Sequence, residues 1–431
     1  MYRKITEYLT EWKKSPNRKP LILQGARQVG KTYALLEFGR NNYDNVAYFN
    51  FETNPRIADT FAENISPAYL LPILSHIAGT TIVSEKTLII LDEVQLCERA
   101  LTSLKYFCED APQYHIIVAG SLLGVAVSRK QFSFPVGKVD IKTMYPMDME
   151  EFLLAMGEDS LVKEIYKHFE ENTPMPSALH DAAIQLYRQY LIVGGMPECV
   201  QQFVQTKDYL LVRHTQDTIL LGYLDDMSKY NSTNEIKKTR LCYDNITVQL
   251  SKKNTRFLYK LIKKGARASE FENAIEWLSL SGIVSQVYRA EQIKKPLENY
   301  KDIDSFKIYV SDLGLLCAKK DLNANDVLYM VDDINEFKGG MAENYVNNQL
   351  VMNGYRTYYW ESDRGAEVDF VIQRDGKLIP IEVKSADNTK AKSLRVYMDT
   401  YKPEYAIKLS SKNFAFEDNK KIVPLYAAFC I

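Results

Sequence analysis

The residues from Gly25 to Thr32 have the types and spacing of a loop that binds phosphate. Two glycines flank a gap of four residues, and Lys31 and Thr32 follow the second glycine. Glycines let backbone N–H groups curl around phosphate oxygens, and the N-terminus of a following helix adds partial positive charge. Lys31 can neutralise the terminal phosphates of ATP, and Thr32 can hold Mg²⁺ through its hydroxyl. The predicted nucleotide-binding residues are Gly25, Ala26, Arg27, Gln28, Val29, Gly30, Lys31, Thr32 and Tyr33.

Two acidic residues supply the second half of such a site. The apolar run Thr87–Leu91 is typical of a buried parallel strand, and it ends at Asp92 and Glu93. Side chains at the carboxyl ends of parallel strands face the crevice where α/β sheets bind ligands. We therefore predict that Asp92 holds the Mg²⁺ shell and that Glu93 polarises an attacking water. Together with Lys31, these residues predict an ATP-hydrolysing enzyme.

A further strand, His115–Ala119, ends next to Ser121. If this strand lies between the strands of the loop and of the acids, Ser121 can sense the terminal phosphate. Alternatively, Ser121 is the N-cap of the next helix. The runs 46–51 and 138–142 read as two more strands, and strands alternate with helical segments over residues 20–145. This alternation predicts a doubly wound α/β sheet.

The C-terminal third contains a predicted β-hairpin. Glu367–Gln373 and Leu378–Lys384 are alternating runs on either side of Asp375-Gly376, a pair typical of a two-residue turn. With this turn, Asp369 lies opposite Glu382, and the polar side chains share one face while apolar side chains fill the other. Like charges that face each other across a sheet are destabilising, and a divalent cation between them removes that cost.

The acids of this hairpin suggest nucleic-acid chemistry. The hairpin resembles that of the PD-(D/E)xK nucleases, whose pattern is matched by Asp369, Glu382 and Lys384. Glu343, on a preceding helix, matches an acid that these nucleases often carry. The resemblance implies a metal held by Glu343, Asp369 and Glu382, with Lys384 assisting cleavage. The alternative is a charged outer face on an ordinary hairpin, without an active metal site.

A local excess of positive charge points to an anionic partner. Residues 229–267 contain eleven Lys or Arg against two acids, although the whole chain has a formal net charge of −1. Such a patch predicts nucleic acid, DNA rather than RNA, as the partner. Helical segments at 257–262 and 269–278 and a strand at 283–288 suggest a winged helix. The second helix is acidic, however, so a solvated helix face or packing between domains is the alternative.

Length and composition are those of a folded protein with several domains. The chain has 431 residues, 46% of them hydrophobic and 25% charged. Its apolar runs are too short to cross a bilayer, and its first residues lack the apolar segment of a signal peptide. The six cysteines lack metal-ligand spacing. We therefore expect a cytoplasmic protein with reduced thiols, and no membrane partner.

The motifs together resemble a known family of ATPases. Gly25–Thr32, Leu88–Glu93, Ala119–Ser121 and Phe134–Lys138 resemble the AAA-type ATPases that occur with a companion C-terminal domain of unknown function in bacteria and archaea. Further matching segments are Val193–Pro197 and Tyr309–Leu316. The resemblance implies a relation to the STAND-like branch, whose members often act as regulated switches. A homo-oligomer is a further expectation. Arg129, Arg27 and Arg99 are candidates for an arginine finger.

These observations predict a particular domain order and two classes of function. The predicted domains are an ATPase core at 1–150, a helical lid at 151–205, a basic winged-helix-like domain at 206–290 and a nuclease-like α/β domain at 291–431, whose first residues are a linker or long hairpin. In the first function class, ATP hydrolysis gates a C-terminal nuclease acting on nucleic acid. In the second, the chain is an ATP-driven switch whose C-terminal domain only binds a partner or DNA.

Overall fold

The fold is known from a computed structural model, which describes residues 1–121, 123–128, 134–229, 233–251, 256–385 and 392–431. Within these residues the chain divides into two compact units. The N-terminal unit comprises residues 2–145 with 280–282, and the C-terminal unit comprises residue 1 with 146–279 and 283–431. The finer domain boundaries predicted from the sequence are not tested by this division.

The N-terminal unit alternates strands and helices along the chain. Its strands are β1 Leu21–Gln24, β2 Asn45–Asn50, β3 Thr87–Asp92, β4 His115–Gly120 and β5 Asp140–Thr143. Its helices are α1 Ile5–Lys14, α2 Lys31–Asn42, α3 Ile57–Glu63, α4 Pro67–Ala78, α5 Glu98–Asp110 and α6 Leu123–Ser128, with a 3₁₀ turn at Val94–Leu96.

The described strands of this unit form a parallel sheet in the order β2-β3-β4-β1-β5, which we call the first sheet. β3 and β4 are buried at every position, whereas the edge strands β2 and β5 are only partly buried. Parallel strands that are covered on both faces need continuous apolar runs, and this is why these two strands were recognisable in the sequence. β4 lies between β3 and β1, as the sensor interpretation of Ser121 requires.

The C-terminal unit begins with a long helical stretch. Its helices are α7 Met149–Ala155, α8 Asp159–Glu171, α9 Ser177–Val193, α10 Pro197–Thr206, α11 Tyr209–Lys229, α12 Thr233–Ser251, α13 Ala268–Leu280, α14 Leu313–Lys319, α15 Ala324–Leu328, α16 Asn335–Met352 and α17 Lys392–Tyr401. Its strands are β6 Val284–Ala290, β7 Lys301–Val310, β8 Tyr358–Glu361, β9 Glu367–Arg374, β10 Lys377–Val383, β11 Ala406–Ser410, β12 Ala415–Glu417 and β13 Lys420–Pro424. Short 3₁₀ helices occupy Tyr259–Leu261, Leu297–Tyr300, Asp332–Ile334 and Leu425–Cys430.

These strands form one mixed sheet, the second sheet, with the order β12-β13-β11-β10-β9-β8-β6-β7 in the described chain. β9 and β10 are antiparallel in the predicted register, from Arg374 opposite Lys377 to Phe370 opposite Ile381. The side chains predicted for the core face of this hairpin, such as Val368 and Ile379, are buried. The hairpin prediction is therefore correct along its hydrogen-bonded ladder.

The winged-helix prediction is not confirmed. The expected first helix at 257–262 contains only a 3₁₀ turn, because the N–H of Phe257 donates to the carbonyl oxygen of Phe306 at 2.7 Å and its ring stacks on that of Phe306. The expected second helix exists as α13 and the expected strand as β6. β6, however, pairs with β7 and β8 in the second sheet. Of the predicted linker or long hairpin at 291–305, residues 291–300 connect β6 to β7 and residues 301–305 already belong to β7, so the hairpin form of the prediction is the one observed.

The cysteines and helices bear on two general expectations. All six cysteines lie among the described residues, where they form no disulfide, and five of them are buried. Within the described ranges, every helix is too short or too polar to span a membrane.

Candidate functional site

The loop between β1 and α2 has the backbone geometry that its sequence predicts. Gly25, Gln28 and Gly30 have positive φ angles of 149°, 65° and 92°. A Cβ atom on Gly25 would lie 2.1 Å from the carbonyl oxygen of Met144, so that only glycine fits at this position. Helix α2 begins at Lys31, directly after the loop. Its free N–H groups and partial positive charge therefore face the loop, an arrangement that fits the phosphates of a nucleotide.

Lys31 and Thr32 are held at the mouth of this loop. The Nζ atom of Lys31 donates to the carbonyl oxygens of Gly25 and Ala26 at 2.9 and 2.8 Å, so the ammonium group lies inside the loop. The hydroxyl of Thr32 donates to Oδ2 of Asp92 at 2.7 Å. The loop and the end of β3 thus bring together a cationic group, a hydroxyl and a carboxylate. This donor set fits a magnesium-bound triphosphate.

The other predicted loop residues divide into interior and surface positions. Ala26 and Val29 are buried, so their side chains belong to the core and only their backbone can face a ligand. Arg27 is half-buried, whereas Tyr33 on the first turn of α2 is 63% exposed. A ligand in the loop would therefore meet mainly backbone groups and only a few polar side chains.

Asp92 has a further partner that the sequence did not reveal. Its Oδ2 also accepts the hydroxyl of Tyr48 on β2 at 2.9 Å, and its Oδ1 accepts the N–H of Glu93 at 3.0 Å. The side chain of Asn50 donates to the Tyr48 hydroxyl, and its Oδ1 accepts the N–H groups of Glu52 and Thr53. Tyr48 and Asn50 alternate along β2, and Asn50 pairs with Asp92 in the ladder between β2 and β3, which is how β2 brings Tyr48 to the site.

Glu93 is held beside Asp92 in an uncommon backbone conformation, with φ at +51°. Its Oε2 accepts a hydrogen bond of 2.5 Å from the side-chain amide of Gln95. Burial raises the pKa of Glu93, the Gln95 hydrogen bond lowers it, and the charge of Asp92 raises it again, with a net upward shift. A carboxylate with a raised pKa is a better proton acceptor, as a general base requires.

Ser121 and the arginine candidates have different surroundings. Ser121 is buried directly after β4, next to the strand end that carries Asp92 and Glu93. Arg99 donates from Nε to the carbonyl oxygen of Phe61 at 2.6 Å and is therefore tied to its own unit. Arg129 lies outside the described residues. The sensor role of Ser121 and the identity of an arginine finger stay predictions.

The acids of the C-terminal unit form a second cluster, on the polar face of the β9–β10 hairpin. Glu382 is buried, and its Oε1 is 2.5 Å from the Nζ of Lys384. Its Oε2 is buried without a hydrogen-bond partner among the described residues. Asp369 accepts the N–H of Val383 at 2.7 Å. Burial, and then the charges of Glu343 and Glu382, raise the pKa of Asp369 well above its usual range. Negative charge at Asp369 and Glu382 is therefore not fully balanced by the protein, and a bound cation would balance it.

Glu343 joins this cluster through a lysine that the sequence did not single out. Lys307 on β7 is 3.5 Å from Glu343 and is also ion-paired with Glu367 on β9. The hydroxyl of Tyr309 donates to the same oxygen of Glu343 at 3.2 Å. Lys307 could have been noticed in the sequence, because it stands inside the apolar run 306–310, where a charged residue needs a buried partner.

A cavity of about 710 Å³ opens over this cluster within the C-terminal unit. Its lining contains both acidic and basic residues. The charged residues of the lining are Arg188, Arg256, Lys307, Glu336, Lys338, Glu343, Glu367, Asp369 and Lys384. Nowhere in the described ranges do three or more His, Cys, Asp or Glu side chains converge into a ready metal site. The prediction that Glu343, Asp369 and Glu382 share one metal stays a prediction.

Part of the basic segment 229–267 lies among the described residues. Lys260, Lys263, Lys264 and Arg267 are exposed on the short stretch before α13, as a contact to phosphates requires. Lys252 and Lys253, which belong to the predicted cluster, lie outside the described residues. Other basic residues of the segment are engaged within the protein, since Lys238 pairs with Glu235 at 3.1 Å.

The two remaining motifs of the resemblance meet inside the C-terminal unit. Asp312 accepts the N–H of Gly195 at 2.6 Å and, as N-cap of α14, that of Leu315 at 2.8 Å. A Cβ atom on Gly194 would lie 2.4 Å from Asp312 Oδ1. Burial raises the pKa of Asp312 to about 6, although these backbone hydrogen bonds lower it. The glycines and the aspartate therefore hold the end of α9 against the start of α14, which is a structural role.

Comparisons with protein families divide the chain into three matched segments. Residues 17–153 match the model of an AAA domain. Residues 184–326 and 338–428 match two families that are described as domains of unknown function, DUF8612 and DUF4143. The AAA match agrees with the parallel sheet and phosphate-binding loop of the N-terminal unit, which has the fold of P-loop ATPases. No curated protein sequence matches the chain.

Comparison with solved structures finds loose similarity to, among others, the following three proteins. C. elegans PCH-2 aligns at 12% identity over 48% of this chain and 63% of its own, less than two thirds of its length. Aeropyrum pernix ORC1, solved in complex with DNA, aligns at 13% over 76% of this chain and 93% of its own. AMPPCP-bound DnaA from Aquifex aeolicus aligns at 14% over 63% and 86%. With a TM-score of 0.28 in each case, these alignments carry no statement about this chain.

Proposed function

We propose that this protein hydrolyses ATP with Mg²⁺ and that its nucleotide state controls a C-terminal nuclease-like domain acting on nucleic acid. The observation that carries the first half is the hydrogen bond between Thr32 and Asp92, which joins the phosphate-binding loop to the acidic end of β3. In this proposal Lys31 binds the terminal phosphates, Thr32 and Asp92 hold Mg²⁺, and Glu93 activates the attacking water. Ser121 senses the terminal phosphate.

Two variants separate nucleotide binding from turnover. Lys31→Ala leaves phosphate charge uncompensated and should lose ATP binding, measured with a fluorescent ATP analogue. Glu93→Gln removes only the proton acceptor and should retain binding while turnover falls by about 10²–10⁴-fold. Glu11→Gln, at an exposed position on α1, is the matched control. Turnover of Glu93→Gln at the wild-type rate would remove Glu93 from this role.

The second half of the proposal concerns the acid cluster of the C-terminal unit. Asp369, Glu382 and Lys384 lie on one face of the hairpin, and Glu382 has a buried oxygen without a partner in the described chain. A divalent cation held by Asp369 and Glu382, with Glu343 nearby, would supply the positive charge that stabilises a phosphodiester during cleavage. The role proposed for Lys384 is to stabilise developing charge on the phosphate.

Asp369→Asn tests this half, because it removes one carboxylate charge with little change in shape. We expect loss of DNA cleavage in Mg²⁺ or Mn²⁺, with ATP turnover retained. The matched control is Asp375→Asn, at the exposed turn of the same hairpin, where asparagine tolerates the positive φ of 48°. Equal cleavage by wild type and Asp369→Asn would refute the nuclease assignment.

An alternative function has its own supporting observation. Three of the acids are already paired with cations of the protein, because Lys307 contacts Glu343 and Glu367 and Lys384 contacts Glu382. A cluster in which most of the acids are paired internally suits a domain that binds a partner or DNA without cutting it. The chain would then be an ATP-driven, STAND-like switch. Nucleotide-dependent DNA binding without cleavage products in either metal would favour this alternative.

A further inference from the structure

The acid cluster contains an unusual balance of charges. Four carboxylates belong to it, from one helix and two strands, and two ammonium groups accompany them. The carboxylates are Glu343 on α16, Glu367 and Asp369 on β9, and Glu382 on β10. The ammonium groups are those of Lys307 and Lys384. Four negative and two positive charges leave a formal charge of −2, the amount that a single divalent cation neutralises.

Lys307 is the more deeply placed of the two cations. Its side chain is 9% exposed, whereas that of Lys384 is 31% exposed. It contacts Glu343 and Glu367 at once and lies 5.3 Å from the centre of the Tyr359 ring. β7 and β9, which carry Lys307 and Glu367, are not neighbours in the second sheet, because β6 and β8 lie between them. Lys307 therefore bridges carboxylates of separate elements, which is the usual task of a metal ion.

The surrounding contacts hold Lys307 and Glu343 in this position. Asn344, the neighbour of Glu343, exchanges two hydrogen bonds with the backbone of Val310, at 2.8 and 2.7 Å. Asn348 donates to the same carbonyl oxygen at 3.0 Å. These bonds fix α16 against the end of β7, and Tyr309 adds a hydrogen bond to Glu343. Lys307 is therefore held in place by the hydrogen bonds between α16 and β7.

We propose that Lys307 is a built-in cation that occupies the place of a second metal, so that the acid cluster takes one divalent cation, on Asp369 and Glu382. The proposal rests on the nuclease-like site of the proposed function and specifies its metal content. Glu343 and Glu367 are committed to Lys307, and this accounts for the lack of a converging three-acid group among the described residues. Asp369 and Glu382 carry the remaining demand for charge, because Lys384 satisfies only one oxygen of Glu382.

The test counts metal ions rather than activity. Binding of Mn²⁺ to the full chain is titrated without nucleotide, and free Mn²⁺ is read by electron paramagnetic resonance. The number bound by Asp369→Asn is subtracted, because this removes any contribution from the N-terminal unit. We expect one Mn²⁺ in the wild type and in Lys307→Arg, which keeps the charge. We expect two in Lys307→Met, because removing the ammonium frees Glu343 and Glu367 as ligands.

Each other result has a defined meaning. Two Mn²⁺ in the wild type, or one in a folded Lys307→Met, would overturn the proposal and leave the nuclease assignment standing. No Mn²⁺ in the wild type would overturn both this proposal and the nuclease-like site. If circular dichroism shows that Lys307→Met does not fold, Lys307→Gln replaces it, since its amide is polar but carries no charge to neutralise Glu343 and Glu367. Two ions are expected for this variant, and one ion would overturn the proposal.

Discussion

Replacing Gln95 by methionine should move the pH at which ATP turnover begins. Gln95 donates to Glu93 Oε2 at 2.5 Å, and this hydrogen bond stabilises the charged form of the carboxylate. Methionine has a similar length but no donor. Gln95 Oε1 is itself buried without a partner among the described residues, so its removal costs no hydrogen bond. The substitution therefore isolates the bond to Glu93.

The size of the shift follows from the strength of that bond. A hydrogen bond to a charged group contributes about 1.5–3 kcal/mol, and about 1.36 kcal/mol corresponds to one pKa unit. Glu93 is only half-buried, so solvent recovers part of the loss. We expect the pKa of Glu93 to rise by about one unit. Because a general base acts in its deprotonated form, the acid limb of the kcat profile should move to higher pH by the same amount.

The assay is steady-state ATP turnover between pH 5 and 9 at saturating Mg·ATP. Gln113→Met, at an exposed glutamine of the same unit, is the control and should leave the profile unchanged. If the acid limb of Gln95→Met coincides with that of the wild type while Glu93→Gln abolishes turnover, Gln95 does not contact Glu93 in the working enzyme. If the limb moves to lower pH, the sign of our reasoning is wrong.

Three other predictions concern binding and stability. Lys31→Ala should show no saturable ATP binding by calorimetry, whereas binding of ATP to this variant with the wild-type affinity would remove Lys31 from the site. Changing Lys260, Lys263 and Lys264 together to Glu should weaken DNA binding and flatten its dependence on salt, because each lost phosphate contact removes about one unit of slope; unchanged binding would make these lysines a solvated face. Asp312→Asn should lower the stability of the C-terminal unit by about 1–3 kcal/mol, because an amide group faces backbone N–H donors. Since the folded-state pKa of Asp312 is raised to about 6, wild-type stability should fall as pH rises from about 4 to 6, and thermal melts should show that this component is absent in the variant.

The sequence was sufficient for the parts of the fold that depend on local pattern. β3 and β4 were recognisable because strands buried on both faces need continuous apolar runs. The Asp375-Gly376 turn determined the register of its hairpin, because a two-residue turn leaves no freedom in pairing. The loop Gly25–Thr32 was recognisable because its glycines are required by backbone geometry.

The parts that depend on distant contacts could not be read in the same way. Lys307 meets Glu367 across two intervening strands, and the order of the strands in a sheet does not follow from the sequence of each strand. Tyr48 reaches Asp92 only because β2 lies beside β3. The helical pattern of 257–262 was overridden by the tertiary contact between Phe257 and Phe306. In each case a long-range contact decided the outcome.

Control of a C-terminal nuclease by nucleotide state is tested by following ATP turnover and nucleic-acid cleavage in the same tubes, with Mg²⁺ or Mn²⁺ and with DNA or RNA. We expect that wild type hydrolyses ATP and produces cleavage products, and that Asp369→Asn hydrolyses ATP without products. We also expect that Glu93→Gln binds ATP, loses turnover and alters the yield of products, since nucleotide state controls cleavage. Equal cleavage by wild type and Glu93→Gln, with and without ATP, would contradict the claim that the N-terminal unit controls the C-terminal one.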